Sequence, residues 1–155
     1  MWDRLLRAGR HVTAVGASDW HRTPTPLGAA AVRVFAEQRT EQAILGGIRR
    51  GRVIVMRDAQ AAPPSVRAGR GSHNAGIGDS LTCAGGEHVT VQVAMPDLAD
   101  GRADFVWNGD RVTSKRIADG ATFTTPASAG YLRIHVYAAD GSAVTVTNPV
   151  YVATR

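Results

Sequence analysis

From about residue 58 onward the chain is a succession of short β-branched or aromatic runs, and no stretch of it keeps a helical period. The runs are PSVRAGR, HVTVQVAM, ADFVWNG, DRVTS, ATFTT, YLRIHVYAA and AVTVTNPVYVAT. Segments of this length and composition suit half-buried strands. Between them, Trp107-Asn108-Gly109-Asp110 and Asp140-Gly141 are tight-turn sequences, because Asn and Gly accept the positive φ that primed turns need. Strands at this spacing predict an antiparallel β-sandwich of roughly immunoglobulin size over 58–155. In its core we place Trp107, Tyr131, Ile134 and Val136; Ile134 and Val136 face one side while His135 and Tyr137 face the other.

The first third has a different texture. In WDRLLRAG the apolar Trp2, Leu5 and Leu6 share a helical face, and Gly9 suits the C-cap. HVTAVGAS then reads as a strand covered on both faces. After the loop TPTPLG comes a second β-like run, AAVRVFA. Thr40 caps the helix EQAILGGIRRG, whose stripe is Ile44, Leu45 and Ile48, and RVIVM is the next strand. The Ala- and Pro-rich DAQAAPP links this segment to the strands. The expected fold class is therefore α+β, mainly β, with an α/β segment at 1–57 and a β-sandwich at 58–155.

At 155 residues, with an apolar fraction of 44%, the chain can bury a core. No 18-residue apolar run exists, and the N-terminus MWDRLLRAGR carries charges where a secretion signal carries its apolar segment, so no membrane span is expected and the cytoplasm is the default compartment. The single cysteine, Cys83, excludes an internal disulfide and reads as a small apolar strand residue. The basic excess is confined to one region. Residues 1–57 hold ten arginines against Asp3, Asp19, Glu37 and Glu41, a net of +6, whereas 58–155 carry eight basic and nine acidic groups, a net of −1. No aromatic residues interleave with the arginines as a nucleic-acid stacking platform requires, so we read them as a solvated face and expect no nucleic-acid partner.

Within the first third, GASDWHR places a carboxylate and an imidazole two residues apart behind an apolar run. A hydrolytic metal site needs such hard or borderline donors at the mouth of a rigid scaffold, and the end of a parallel strand supplies that mouth. In an extended segment Asp19 and His21 point the same way and Trp20 turns into packing. Arg22 beside them is a candidate to hold an anionic substrate group, or else to pair with a surface carboxylate. Ser18 forms no nucleophile triad, since neighbours in one extended segment cannot make the sequential hydrogen bonds that orient nucleophile and base. GRGSHNAGIGDS is glycine-rich but lacks the Lys-Ser/Thr ending of a phosphate loop, and reads as an interstrand loop. His11, His73, His88 and His135 read as packed or solvated residues.

The stretch GASDWH resembles the last metal-binding motif of the polymerase and histidinol phosphatase (PHP) superfamily of metallohydrolases. PLGAAAVRVFA, TEQAILGGIRRGRVIVM, GDSL and the terminal NPVYV are similar, in order, to the C-terminal half of its CehA/McbA-like branch, in which a PHP barrel precedes a β-rich domain. The resemblance implies that 1–57 is the C-terminal segment of a PHP-type α/β barrel and 58–155 an immunoglobulin-like β-sandwich. It further implies that Asp19 and His21 are ligands of a multinuclear centre of zinc, manganese or iron. The implied chemistry is hydrolysis of a small-molecule phosphoester, ester or carbamate by metal-activated water. The His-x-His motif and the intermediate ligands of a complete PHP barrel are missing, which predicts a truncated site, inactive alone, and an exposed barrel edge open to self-association. The alternative is a non-catalytic β-sandwich binding or packing module that carries a remnant of the barrel.

Overall fold

The computed structural model describes residues 1–155 apart from Thr25, Pro26 and Asp119. Two short helices and twelve strands follow in the order α1 (Trp2–Arg7), β1 (Ala31–Val34), α2 (Glu41–Arg49), β2 (Val53–Met56), β3 (Ser65–Arg70), β4 (His73–Ala75), β5 (Ser80–Cys83), β6 (His88–Ala94), β7 (Arg102–Trp107), β8 (Asp110–Arg116), β9 (Ala121–Pro126), β10 (Gly130–Tyr137), β11 (Ala143–Thr147) and β12 (Val150–Thr154). Among the described residues the chain is mainly β, in two sheets, and all ladders but one are antiparallel. The smaller sheet runs β4-β3-β6-β9; the larger runs β1-β2-β11-β10-β12-β5, with β7 and β8 attached to β10.

Alternation along the strands builds the core between the sheets. Val89, Val91 and Val93 of β6 are buried on one side and Phe105, Ile134 and Val136 of β7 and β10 on the other, while the rings of Phe105 and Phe123 meet with centroids 5.5 Å apart. Each such side chain contributes about 1.5 to 3 kcal/mol on leaving water. Trp107 packs half-buried against the same cluster, but Tyr131, although buried, lies on the face of β10 opposite Ile134 and Val136, under α1 rather than between the sheets. The Asn108-Gly109 turn joins β7 to β8 with φ of 48° and 91°, the positive pair that a type I′ turn demands.

The larger sheet turns on the break between β11 and β12. Both strands run antiparallel to the same edge of β10, β11 beside 135–137 and β12 beside 130–132. The two residues between them, Asn148 and Pro149, interrupt the ladder, and there the outer neighbour changes from β2 to β5. Asn148 is completely buried and uses its amide as a substitute peptide group. Its Oδ1 accepts from Ala14 N–H at 2.7 Å, and its Nδ2 donates to Ala14 O at 2.8 Å and Val53 O at 2.9 Å.

That arrangement corrects the expected strand over HVTAVGAS. Among the described residues, 11–21 join no ladder. The segment is pinned at separate points: Val12 O accepts from Trp2 Nε1, Ala14 meets Asn148, and Thr13 Oγ1 donates to Ile48 O. A side-chain amide has taken the place of a neighbouring strand, so paired backbone groups need no β partner. The remaining elements of the first third form where expected. Thr40 Oγ1 caps α2 by accepting from Ala43 N–H. α2 sits on β1 through Gly47, where a Cβ would lie 2.7 Å from Val34 Cγ1 and 2.9 Å from Phe35 O, and Ile44 and Leu45 remain exposed. β2 pairs with β11, so strands from both sides of residue 57 share one sheet.

A second tie lies at Gly78. Its φ is +84° and a Cβ there would come within 2.5 Å of Arg50 O and 2.7 Å of Gly51 C, both backbone atoms, while Gly78 N–H donates to Pro149 O at 2.7 Å. Asp79 beside it receives Arg52 Nε and Nη2 on Oδ1, at 3.2 and 3.0 Å. We expect Asn148→Ala to destabilise the fold by about 2 to 4 kcal/mol, since it leaves buried backbone groups unpaired. Gly78→Ala should cost a similar amount, about 2 to 4 kcal/mol from left-handed strain and overlap together. Gly86 has nearly the same φ, +81°, but open space around it, so Gly86→Ala should cost only about 1 kcal/mol. Urea unfolding midpoints of the three variants check the ranking.

Candidate functional site

Asp19, His21 and Arg22 all lie on the exposed segment between α1 and β1. Asp19 has a φ of 49°, so the extended geometry expected for 19–21 does not hold. Its carboxylate and the His21 imidazole nevertheless meet, with Oδ1 and Nδ1 3.9 Å apart and the side chains 97% and 73% exposed. Trp20 does not turn into packing but is half-exposed. Arg22 is exposed and makes no ion pair among the described residues. The donor pair suits a borderline divalent metal in chemistry, but among the described residues no third His, Cys, Asp or Glu gathers with it, and firm zinc binding takes three or four protein ligands.

A largely buried polar cluster lies elsewhere, where α1 covers the outward face of β10. The Asp3 carboxylate receives the Tyr131 hydroxyl at 2.7 Å, and Arg133 Nη2 reaches both of its oxygens, at 2.9 and 2.8 Å. The Arg133 guanidinium, with a side chain only 7% exposed, stacks 5.0 Å from the Trp2 ring and approaches His135 Nε2 through Nη1. With Nε2 as acceptor, the His135 ring proton sits on Nδ1, 3.5 Å from Tyr137 Oη. Arg7 donates from Nε to Asn108 O and so ties the same helix to the β7–β8 turn.

Burial and these neighbours fix the protonation states. Desolvation would raise the Asp3 pKa, but the bonds from Tyr131 and Arg133 outweigh it and hold the carboxyl below its ordinary value. Burial and the Asp3 carboxylate push the Tyr131 phenol up to about 12. Burial, reinforced by the Arg133 charge, pulls His135 down to about 4. At neutral pH the cluster is therefore an ionised Asp3–Arg133 pair between a neutral phenol and a neutral imidazole. Asp3 and Tyr131 already bond each other, and a phenol with so high a pKa is no nucleophile. The arrangement works as a clamp between residues 130 positions apart in sequence. No local motif announces it. The usable signal is that Arg133 stands with His135 and Tyr137 on the polar face of β10, opposite Ile134 and Val136, so something polar has to cover it.

Beside the clamp, a cavity of about 470 Å3 lies between α1, β10 and β12. Leu6, Tyr131 and Tyr151 line it, and His11 is stacked on Tyr151 at a centroid distance of 3.7 Å. His11 was expected at the start of a strand; it packs flat on an aromatic ring instead. Cys83 is buried on β5, and burial raises its thiol pKa, which agrees with an inert strand residue. No family model matches this chain, and no curated protein and no solved structure matches it either.

The clamp predicts a pH profile for stability. An unfolded histidine takes up its proton near 6.5, whereas folded His135 stays neutral to about 4. In that window the unfolded chain binds more protons, so stability falls as pH drops from about 6.5 to about 4. At the alkaline end an unfolded tyrosine loses its proton near 10.0 while Tyr131 keeps its own to about 12, so stability falls again as pH rises between those values. Denaturant midpoints measured across pH should show both limbs. His135→Gln should reduce the acid limb, leaving the part due to carboxyls held below their ordinary values, such as Asp3 and Glu87, and Tyr131→Phe should reduce the alkaline limb, leaving the part due to Tyr151.

Proposed function

We propose that this chain is the C-terminal portion of a metal-dependent hydrolase of the PHP type, CehA/McbA-like branch. In this reading Asp19 and His21 supply the last two ligands of a divalent centre, of zinc, manganese or iron, that cleaves a small-molecule phosphoester, ester or carbamate. The observation that carries it is the Asp19–His21 contact, a carboxylate and an imidazole side by side on an exposed segment that Asn148 and Thr13 hold at its base. Arg22, one residue on and exposed, is placed to meet a negative substrate group. The bound metal would activate water for attack. What these residues do for that chemistry is to donate two ligands and a positive charge, and the remaining ligands come from outside residues 1–155.

The surface of the first third supports an origin in a larger domain. Among the described residues β1 ends the larger sheet with one unpaired edge, and Val15, Trp20, Leu27, Phe35, Ile44 and Leu45 are exposed around it or on the segments next to it. We assign this surface to contact with the rest of the barrel, or to self-association where the barrel is absent. One observation favours the second reading, a non-catalytic β-sandwich module: β2 is hydrogen-bonded to β11, so the first third is built into the sandwich rather than hinged beside it.

The readings separate on metal binding. Residues 1–155 should release zinc and manganese on dialysis. In a zinc titration followed by the His21 ring resonances they should bind weakly, and Asp19→Asn should abolish the response. Stoichiometric metal retained through dialysis, with turnover of a chromogenic phosphoester lost in Asp19→Asn, would show a complete site within this chain. No change at His21 with either metal would favour the non-catalytic module.

A further inference from the structure

The glycine-rich stretch 69–80, GRGSHNAGIGDS, supplies no ligand in the hydrolase reading, yet the fold gathers its polar side chains at one place. It makes the end of β3, a turn, β4 and the start of β5, with Arg70 and His73 opposite each other in register. Gly69 leaves room for the Asn74 side chain, whose Oδ1 would lie 2.8 Å from a Cβ there. β4 ends the smaller sheet and β5 ends the larger one. Where these two end strands meet, a cavity of about 380 Å3 opens along the seam of the sandwich.

Its lining is one-sided in chemistry. Arg70, His73 and Asn74 come from the β3–β4 hairpin, and Ser80 and Thr82 from the outward face of β5. Arg155 closes it, held by its N–H to Cys83 O. These six side chains can all donate hydrogen bonds, Leu81 is the one apolar residue beside them, and no Asp or Glu side chain is among the lining residues. Glu87 occupies one arm of the Arg70 fork, accepting from Nη1. Arg155 makes no ion pair among the described residues. A guanidinium beside hydroxyls matches the acceptor geometry of a phosphate or carboxylate. The cavity is larger than such a group, and its volume falls within the span of small-molecule sites, about 300 to 1,000 Å3.

We propose that the β4–β5 seam is a binding site for a small molecule that enters by a terminal oxyanion, a phosphate or a carboxylate. Arg70 and Arg155 supply the charge, Ser80 and Thr82 the hydroxyl donors. The site is independent of Asp19 and His21 and stands on the sandwich alone.

The test is a pair of nuclear magnetic resonance titrations of the full chain, one with sodium phosphate and one with sodium acetate, at ionic strength held constant with sodium chloride. Saturable shifts of the Ser80 and Thr82 amides and of the His73 ring are expected. Saturation by phosphate alone assigns a phosphorylated ligand, by acetate alone a carboxylate, and by both the shared oxyanion chemistry. The double variant Ser80→Ala/Thr82→Val changes only exposed side chains and should weaken binding about tenfold through two lost bonds to a charged group. Arg70→Lys, which keeps the charge but loses the fork, should weaken it as well; if that variant does not fold, the double variant decides. Absence of saturation with both anions, or saturation that the double variant leaves unchanged, overturns the proposal.

Discussion

Asn148 is the point on which the larger sheet depends. A strand that must pair with β2 along its first half and β5 along its second has to break its ladder between them. The break leaves backbone groups of the neighbouring chain without strand partners. A buried amide side chain carries one acceptor and two donors, enough to serve Ala14 on both its N–H and its C=O and to reach Val53 O as well. One residue thereby closes the sheet, seats β2 and anchors the segment that presents Asp19 and His21. Pro149 suits the same break, because it has no N–H to offer a ladder and its carbonyl is taken by Gly78.

The clamp at Asp3 and Arg133 works on the other flank by different physics. Arg133 lies on the face of β10 that would otherwise meet solvent, and α1 covers it with an indole and a carboxylate. An ion pair taken out of water gains little over apolar packing unless its remaining donors and acceptors are filled. Here Tyr131 donates to Asp3 and His135 accepts from Arg133 while the Trp2 ring stacks on the guanidinium, and the Arg133 Nε–H is left over. The benefit is positional. A helix of six residues has little stability of its own, and the clamp fixes it to a strand 130 residues away.

Together these ties give the first third a place on the sandwich while leaving part of its surface unused. Asn148, Gly78 and the Asp79–Arg52 pair hold β2 and the α2 turn, but Ile44 and Leu45 face outward and β1 has an open edge. The two proposed sites differ accordingly. Asp19 and His21 sit on this incompletely covered portion and need ligands from elsewhere. The oxyanion seam lies where the two sheets end against each other, and all of its donors belong to the sandwich.

The sequence determined the local elements. Period-two alternation of apolar and polar residues along HVTVQVA, YLRIHVY and VTVT made strands, Asn108-Gly109 made a turn that few other residue pairs allow, and Thr40 with Glu41 opened a helix. These outcomes rest on neighbours within a few residues and on the side-chain period, so they can be read from order alone. The sequence also brought Asp19 and His21 within reach of each other, since two residues separate little in any backbone conformation. Tertiary structure decided the rest. An apolar run at 12–17 looks the same whether a strand or the side chain of Asn148 satisfies its peptides, and only the break at 148–149 selects the second. The pairing of β2 with β11, the union of Asp3 with Arg133 and the meeting of β4 with β5 join residues far apart in the chain. No periodicity records such contacts, because they follow from which sheet edges remain open once the local strands have formed.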